Sequence, residues 1–156
     1  MVVRDEIKEL LTSIKYGDVP VLFLADTPKS ALASLRSLKL DGKGGQPFIL
    51  LILPVDEVSD GRWTDVTCSF VLGTATEQAI DTDTRQIINF TPILEPIYAQ
   101  FERLIRIGNH RIKSNYKQKI TKINQYHWGQ EQTILQEYID CIEVKNVQLK
   151  IKNQNC

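Results

Sequence analysis

The feature that most constrains the fold is a run of six apolar residues, Phe48 to Leu53, within the stretch QPFILLILPVDE. The run would reach about 20 Å as a strand and about 9 Å as a helix, whereas a membrane-spanning helix needs about 20 apolar residues. It is therefore too short to cross a bilayer. Its Ile and Leu content and the proline that follows it predict a strand buried on both faces.

A strand in this position should be central, because each of its faces must be covered by another part of the protein. Alternation places Leu50 and Ile52 on one face and Ile49 and Leu51 on the other. We predict that all four side chains are deeply buried. The cover is expected to be two amphipathic helices, one on each face, or one helix and a neighbouring subunit.

Length, charge and the N-terminal residues exclude several classes of protein. The chain has 156 residues, for which one domain spanning residues 1–156 is the default. Lysine plus arginine and aspartate plus glutamate number 19 each, so no global charge indicates a nucleic acid or an acidic membrane. The N-terminal MVVRDEIKEL carries charges where a signal peptide has an apolar region. These features predict a protein made in the cytoplasm with no membrane partner.

The three cysteines show no metal or redox spacing. Cys68, Cys141 and Cys156 are far apart in the sequence. We interpret them as reduced thiols, the first two in the core and the third on the C-terminal tail.

Two segments have the periodicity of amphipathic helices. In RDEIKELLTSIKYG the apolar residues recur at helical spacing, and Gly17 is expected to end the helix. In FTPILEPIYAQFERLIRI the same pattern returns, and Pro96 requires either a helix beginning near Glu95 or a tighter preceding turn over residues 91–95. The core-facing residues are predicted to be Ile7, Leu10, Leu11 and Ile14 in the first segment and Ile97, Phe101, Leu104 and Ile105 in the second. A shorter helix is predicted to start at Pro28, with Leu32, Leu35 and Leu38 on one face.

The predicted strands lie between and after these helices. Residues 19–25 are apolar, and VTCSFVLGT alternates from Val66 to Leu72. The second of these should pair with the opening run as a long antiparallel hairpin that has Asp60 and Gly61 at its tip and projects beyond the domain body.

The C-terminal strand pattern changes parity in its middle. Ile142 and Val144 share one parity, whereas Val147, Leu149 and Ile151 share the other. A strand has a period of two, so we predict a bulge or turn at Lys145 and Asn146. Residues 108–132 have no sustained apolar face and are predicted to form an irregular basic excursion.

The predicted elements define the fold class. They follow the order helix, strand, short helix, strand, strand, helix, strand. This order predicts an α+β fold with a mixed, largely antiparallel sheet, a long β-hairpin and two amphipathic helices packed on the sheet.

The sequence contains no pattern of catalytic residues. His110 and His127 have no histidine or cysteine partner at metal-ligand spacing, and DGKGGQ has its Gly and Lys in the wrong order for a P-loop. The hairpin acids lack the ligand spacing of a calcium loop. We therefore predict no enzyme, no cofactor and no metal site.

Acidic and basic residues are segregated along the chain. Residues 54–84 contain seven acids against Arg62, and residues 102–122 contain seven bases against Glu102. The acids are Asp56, Glu57, Asp60, Asp65, Glu77, Asp81 and Asp83, and the bases are Arg103, Arg106, Arg111, Lys113, Lys117, Lys119 and Lys122. Two interpretations stay open: two unrelated solvated loops, or a surface that meets its own complement on another copy or a partner.

This order of elements resembles that of phage tail terminator proteins, also called tail completion proteins, and of related neck proteins. The resemblance rests on RDEIKELLTSI, the hairpin strands PFILLILP and VTCSFVLGTAT, the helix TPILEPIYAQFERLI and the final strand CIEVKNVQLKI. It covers about four fifths of the chain and includes no catalytic motif. The insertion TPKSALASLRSL and the excursion over residues 108–132 depart from a minimal member of the family.

The resemblance implies a structural role in the virion. Such proteins form homo-oligomeric rings, commonly hexamers, with twelvefold rings as a further expectation, that end the tail tube or join the tail to the neck. Expected partners are other copies of the chain, neighbouring neck, portal or tail-tube proteins, and DNA passing through the ring. The subunit interface would include Asp56, Glu57, Asp60 and Gly61 of the hairpin and Lys113, Lys117 and Lys119 of the basic excursion.

Two other functions remain as hypotheses. A nucleic-acid-binding domain would use the basic segment 103–122, with Arg103, Arg106, Arg111 and Lys122 facing the phosphates. A small enzyme would need a pocket of converging polar groups, for which the sequence names no candidates.

Overall fold

The computed structural model describes residues 2–31, 33–34, 47–75, 81–126 and 139–153. Within them, helices pack on a mixed, mostly antiparallel sheet of seven strands, so the predicted α+β fold class is confirmed. No helix in these residues is long and apolar enough to cross a membrane. The strands are β1 (Lys15–Tyr16), β2 (Val19–Pro20), β3 (Leu22–Asp26), β4 (Phe48–Ile52), β5 (Asp56–Ser59), β6 (Trp63–Ala75), β7 (Ile112–Ser114), β8 (Thr121–Gln125) and β9 (Ile139–Lys152). The helices are α1 (Val3–Leu11), α2 (residues 28–31 and 33–34), α3 (Thr82–Arg85), a π-helix (Gln86–Leu94) and α4 (Glu95–Ile107).

The N-terminal helix α1 has the predicted buried face. Ile7, Leu10 and Leu11 are buried, and so is Ile14, which follows the helix. The prediction that Gly17 ends the helix is wrong, because α1 already ends at Leu11. Gly17 instead has a φ of +60° in the turn between β1 and β2, a backbone conformation that glycine adopts without steric cost.

Strand β4 is central, as predicted. It lies between β3, to which it is parallel, and β6, to which it is antiparallel. Ile49 and Leu51 face one core cluster, and Leu50 faces another. The prediction for Ile52 is wrong: it is only half-buried, because pairing between β4 and β6 ends at Leu51 and Phe70.

The two strongly amphipathic helices lie on the same face of the sheet. The buried residues of α1 and α4 belong to one cluster with Ile49 and Leu51. Leu50 lies in the other cluster with Ala31 of α2. The expectation of one amphipathic helix on each face is therefore wrong, and α2 contributes to the second face.

Helix α2 begins as its sequence predicts. Pro28 is its first residue. The Thr27 hydroxyl accepts the N–H of Ser30, and the Thr27 carbonyl accepts that of Ala31, so Thr27 acts as the N-cap. The predicted apolar face of Leu32, Leu35 and Leu38 lies outside the described residues.

The predicted hairpin is present, but it is not a free arm. Strand β6 pairs with β4 through Phe70–Gly73 and with β5 through Thr64–Thr67, and Asp60 and Gly61 lie at the tip. Strand β9 pairs with β6 along its whole length, from Ala75 to Trp63. The tip is therefore held within the sheet, because a third strand accompanies the hairpin to its end.

The predicted bulge in the C-terminal strand is confirmed. Cys68 pairs with Val147 and Phe70 pairs with Val144, so β9 contains one more residue than β6 at this point. Asn146 has a φ of +63°, an αL conformation that Asn tolerates better than most residues. As a result, apolar residues on both sides of the bulge face the same core cluster.

The second amphipathic helix is part of a longer helical segment. Its α-helical portion begins at Glu95, as predicted, and Ile97, Phe101 and Ile105 are fully buried. The preceding residues form a π-helix, in which the Glu95 N–H donates to the carbonyl of Phe90. The alternative of a tighter turn over residues 91–95 is wrong, because the helix there is wider than an α-helix.

The interpretation of residues 108–132 as irregular is wrong for two segments. β7 and β8 both pair with β9. They lack a clear apolar alternation because they are edge strands, and every residue of β8 except Gln125 is exposed. Residues 127–132, including His127, lie outside the described residues.

The thiols of Cys68 and Cys141 are expected to be unreactive in the folded protein. Both are free and buried, and burial raises the pKa of Cys68 to about 12 and also raises the pKa of Cys141. Iodoacetamide at mildly alkaline pH should leave both unmodified, since the thiolate is the reactive form. Peptide mass spectrometry should find both alkylated after unfolding in guanidinium, and labelling of either in the folded protein would contradict this placement.

Candidate functional site

The sequence-predicted interface residues lie on the two edges of one half of the sheet. We call the part of the sheet around β6 residues 63–68 the lower half and the part around residues 70–75 the upper half. The strand order is β5–β6–β9–β7 in the lower half and β3–β4–β6–β9–β8 in the upper half. Asp56 and Glu57 are on β5, and Lys113 is on β7, so acid and base occupy opposite edges.

The two edge strands of the lower half, β5 and β7, are aligned in register across the sheet. Val58 is opposite Asp65, Asp65 is opposite Lys150, and Lys150 is opposite Lys113. The Lys150 Nζ lies 3.7 Å from a carboxylate oxygen of Asp65, and both side chains are largely exposed. Asp65, Lys150 and Lys113 border an open groove of about 550 Å³ that also includes Thr67 and Gln148.

The acidic edge ends in a turn that uses one of its carboxylates. Oδ1 of Asp60 accepts the N–H of Arg62 at 2.9 Å and of Trp63 at 2.7 Å. These hydrogen bonds lower the pKa of Asp60. Gly61 has a φ of +91°, which glycine accommodates without strain. Asp60 and Gly61 therefore shape the tip, whereas Asp56 and Glu57 present exposed carboxylates.

The basic edge continues from β7 into a loop over residues 115–120, which we call the lysine loop. Nε2 of Gln118 donates to the Gln148 carbonyl at 3.0 Å, and its Oε1 accepts the Gln148 N–H at 2.8 Å. Nη1 of Arg106 donates to the carbonyls of Tyr116 at 3.0 Å and Gln118 at 2.7 Å. The loop backbone is thus held in place, while the side chains of Lys117 and Lys119 are exposed.

Three of the four residues predicted to face DNA are engaged within the chain. Besides the contacts of Arg106, Nη2 of Arg111 donates to the Lys152 carbonyl at 2.6 Å, and its Nε lies 3.7 Å from Glu6. Nζ of Lys122 lies 2.7 Å from both carboxylate oxygens of Glu95 and 4.7 Å from the centre of the Tyr98 ring. Arg103 is exposed on α4. The structure therefore gives these residues different roles and does not form one basic face from them.

A buried polar cluster was missed by the sequence analysis. Nη1 of Arg85 donates to Asp140 Oδ1 at 2.7 Å, and Nδ2 of Asn89 donates to Asp140 Oδ2 at 2.9 Å. All three side chains are buried, and Asp140 is fully enclosed. The cluster joins the start of the long helical segment to β9. One sequence signal could have indicated it: Asp140 directly precedes Cys141, which was predicted to lie in the core, at the start of a predicted strand.

The remaining sequence candidates do not converge on one point. His110 is exposed, while Glu77, His127 and Cys156 lie outside the described residues. Across the ranges that the structure describes, there is no group of three or more His, Cys, Asp or Glu side chains that could hold a metal ion. Asp81 caps α3 by accepting the N–H of Thr84 at 2.7 Å. The sheet edges, in contrast, present exposed charged side chains on strands and a hydrogen-bonded loop.

Comparison with known proteins identifies no relative. No protein-family model matches the chain, and no curated protein or solved structure is significantly similar to it.

Proposed function

We propose that this chain is a structural virion protein whose copies assemble head to tail into a ring that terminates a phage tail or joins it to the head. The observation that carries the proposal is the placement of the acidic and basic residues on opposite edges of the lower half of the sheet. A contact between two different surfaces repeats from copy to copy and closes when the rotation permits. A hexameric or twelvefold ring, with neck, portal or tail-tube neighbours, is part of the same proposal.

The opposite edges are suited to such a contact because β5 and β7 are aligned in register and carry charges of opposite sign. A second copy placed beside the first in the same orientation brings β5 to the level of β7. Asp56 and Glu57 of one copy then face Lys113 and the lysine loop of the other. Exposed pairs contribute about 0.2 to 1 kcal/mol each, so these charges would mainly determine orientation and the rate of encounter.

The alternative of a nucleic-acid-binding domain has less support from the geometry. Arg106, Arg111 and Lys122 contact carbonyls or carboxylates of the chain itself. Arg103 and the exposed lysines would remain for phosphate contacts. The two functions differ in what these lysines contact, and a charge-reversal experiment separates them.

Reversal of Lys113, Lys117 and Lys119 to Glu is expected to abolish assembly in low salt without unfolding the protein. The variant would oppose Asp56 and Glu57 of the neighbour with like charge. Sedimentation velocity and negative-stain images should show monomers, and the circular dichroism spectrum should be unchanged. Mixing with a variant that carries Asp56→Lys and Glu57→Lys should restore contacts between the two; Asp60 is left intact because its carboxylate holds the turn.

Arg4, Lys15 and Lys29 provide a matched control, because they are exposed bases outside β5, β7 and the lysine loop. Their reversal to Glu changes the net charge equally and should leave assembly intact. A Lys113, Lys117 and Lys119 variant that assembles normally but no longer binds heparin would overturn the proposal in favour of nucleic-acid binding. A wild-type protein that stays monomeric at all concentrations would overturn it directly.

A further inference from the structure

We propose that strand β8 of one copy pairs antiparallel with strand β3 of the next copy, so that the sheet continues across the subunit boundary. This inference rests on the proposed head-to-tail assembly and specifies its main-chain contact. The charged lower edges would then select the partner, and the upper edges would hold it.

The two edge strands of the upper half, β3 and β8, have the same length and are aligned in register across the sheet. In the described part of the chain, β3 pairs with β4 alone and β8 pairs with β9 alone. Each has five residues. The rows of paired residues cross all five strands of the upper half. One such row consists of Leu24, Leu50, Val71, Glu143 and Ile123.

The directions of the strands also fit. β3 is parallel to β4, and β4 is antiparallel to β6. β6 is antiparallel to β9, and β9 is antiparallel to β8. β3 and β8 therefore run in opposite directions. A second copy in the same orientation would present its β3 to β8 as an antiparallel neighbour, and within the described residues neither facing edge already pairs with another strand.

The side chains on these edges complement each other. β3 is apolar from Leu22 to Ala25, yet all of its residues are partly exposed, which is unusual for an edge that stays free. Ile123 is the only apolar residue of β8 and is 36% exposed. The neighbouring Lys122 points towards α4, so alternation turns Ile123 to the opposite face, which is also the face of Leu24. Pairing would place Ile123 of one copy beside Leu24 of the next.

The pairing of β8 with β3 leaves room for the contact between the charged lower edges, β7 of one copy and β5 of the next. β4 and β5 both pair with β6, so β3 extends one strand beyond β5. When β8 and β3 of adjacent copies pair, β7 and β5 are separated by two strand spacings, about 10 Å. Lys113 and the exposed lysines of the lysine loop border this gap, opposite Asp56 and Glu57. Long lysine and glutamate side chains can bridge such a distance.

Chemical cross-linking tests the predicted neighbours. Leu24→Cys and Ile123→Cys would be combined in a Cys156→Ser background, in which Cys68 and Cys141 are buried. A short bismaleimide should convert the assembled protein into a ladder of covalent multimers on a denaturing gel. Each single variant should give no ladder. The matched control combines Leu24→Cys with Ile87→Cys, since Ile87 is an exposed isoleucine on the π-helix, and should also give none.

A second variant tests the same contact without cross-linking. Ile123→Lys adds a charge at an already exposed position, so the melting temperature of the monomer should be unchanged while assembly is lost. Ile87→Lys should assemble as the wild type does. The β8–β3 pairing would be overturned if rings formed but the Leu24→Cys and Ile123→Cys pair gave no ladder. It would also be overturned if the control pair gave an equal ladder, or if Ile123→Lys assembled normally. In those cases the charge-reversal result would still decide the proposed function separately.

Discussion

Replacing Asp140 with alanine should lower the free energy of unfolding by about 3 to 5 kcal/mol. Asp140 is fully buried and accepts hydrogen bonds from Arg85 at 2.7 Å and Asn89 at 2.9 Å. The substitution removes the carboxylate that accepts hydrogen bonds from the buried Arg85 guanidinium and the buried Asn89 amide, and the loss of one partner from a buried ion pair is strongly unfavourable. Urea unfolding followed by circular dichroism would measure the loss, which is large relative to the usual stability of about 5 to 15 kcal/mol.

Two comparisons separate this effect from a general cost of changing an aspartate. Asp65→Ala removes a largely exposed carboxylate that lies 3.7 Å from Lys150 on the same sheet, and it should change stability little. The double variant Arg85→Met with Asp140→Leu removes both charges and should be considerably more stable than Asp140→Ala alone. If Asp140→Ala were as stable as Asp65→Ala, the buried ion pair would not be supporting the fold.

Leu51→Ala should destabilise the protein by about 2 to 5 kcal/mol. Leu51 has no exposed surface, pairs with Ala25 and Phe70 on the two neighbouring strands, and belongs to the core cluster beneath α1 and α4. Truncation removes buried methyl groups and leaves a cavity that packed neighbours fill only in part. Denaturant unfolding measures the change.

The exposed edge of the same sheet provides the control for Leu51. Val58 on β5 is 69% exposed, so Val58→Ala should have almost no effect on unfolding. A near-neutral Leu51→Ala would contradict the central position of β4.

The parts of the fold that the sequence predicted are those encoded by local periodicity. The buried faces of α1 and α4 follow from the spacing of Ile7, Leu10, Phe101 and Ile105. The bulge follows from the change of parity between Val144 and Val147, because a strand cannot turn both sets to one core without an extra residue. Each of these patterns is contained within a single segment.

The missed elements depend on partners that are distant in the sequence. β7 and β8 are polar edge strands, and β9 supplies their pairing rather than any alternation of their own. The Arg85 and Asp140 pair joins residues 55 positions apart. The π-helix contains Pro92, and its sequence has no periodic pattern of its own. It therefore cannot be distinguished in the sequence from a loop or from an interrupted α-helix.

The candidate interface was predicted in composition but not in arrangement. The acids of the hairpin and Lys113, Lys117 and Lys119 stand out as clusters of charge in the sequence. Their positions on opposite edges required the strand order, which places β9 between β6 and β7. Sequence alone also grouped Arg106 and Lys122 with the exposed bases, because it could not show the carbonyls and the carboxylate that they contact.

The extra residue in β9 restricts how the length of this chain can vary over evolution. Loss of one residue at Lys145 or Asn146 would remove the bulge and place Val147 two positions after Val144, so Val147, Leu149 and Ile151 would still face the core. Loss of both residues would instead place Val147 directly after Val144, turning Val147, Leu149 and Ile151 towards water and Gln148 and Lys150 towards the helices. Natural variants of β9 would therefore tolerate loss of the single extra residue more readily than loss of two, which would need a matching exchange of apolar and polar positions from residue 147 to residue 152.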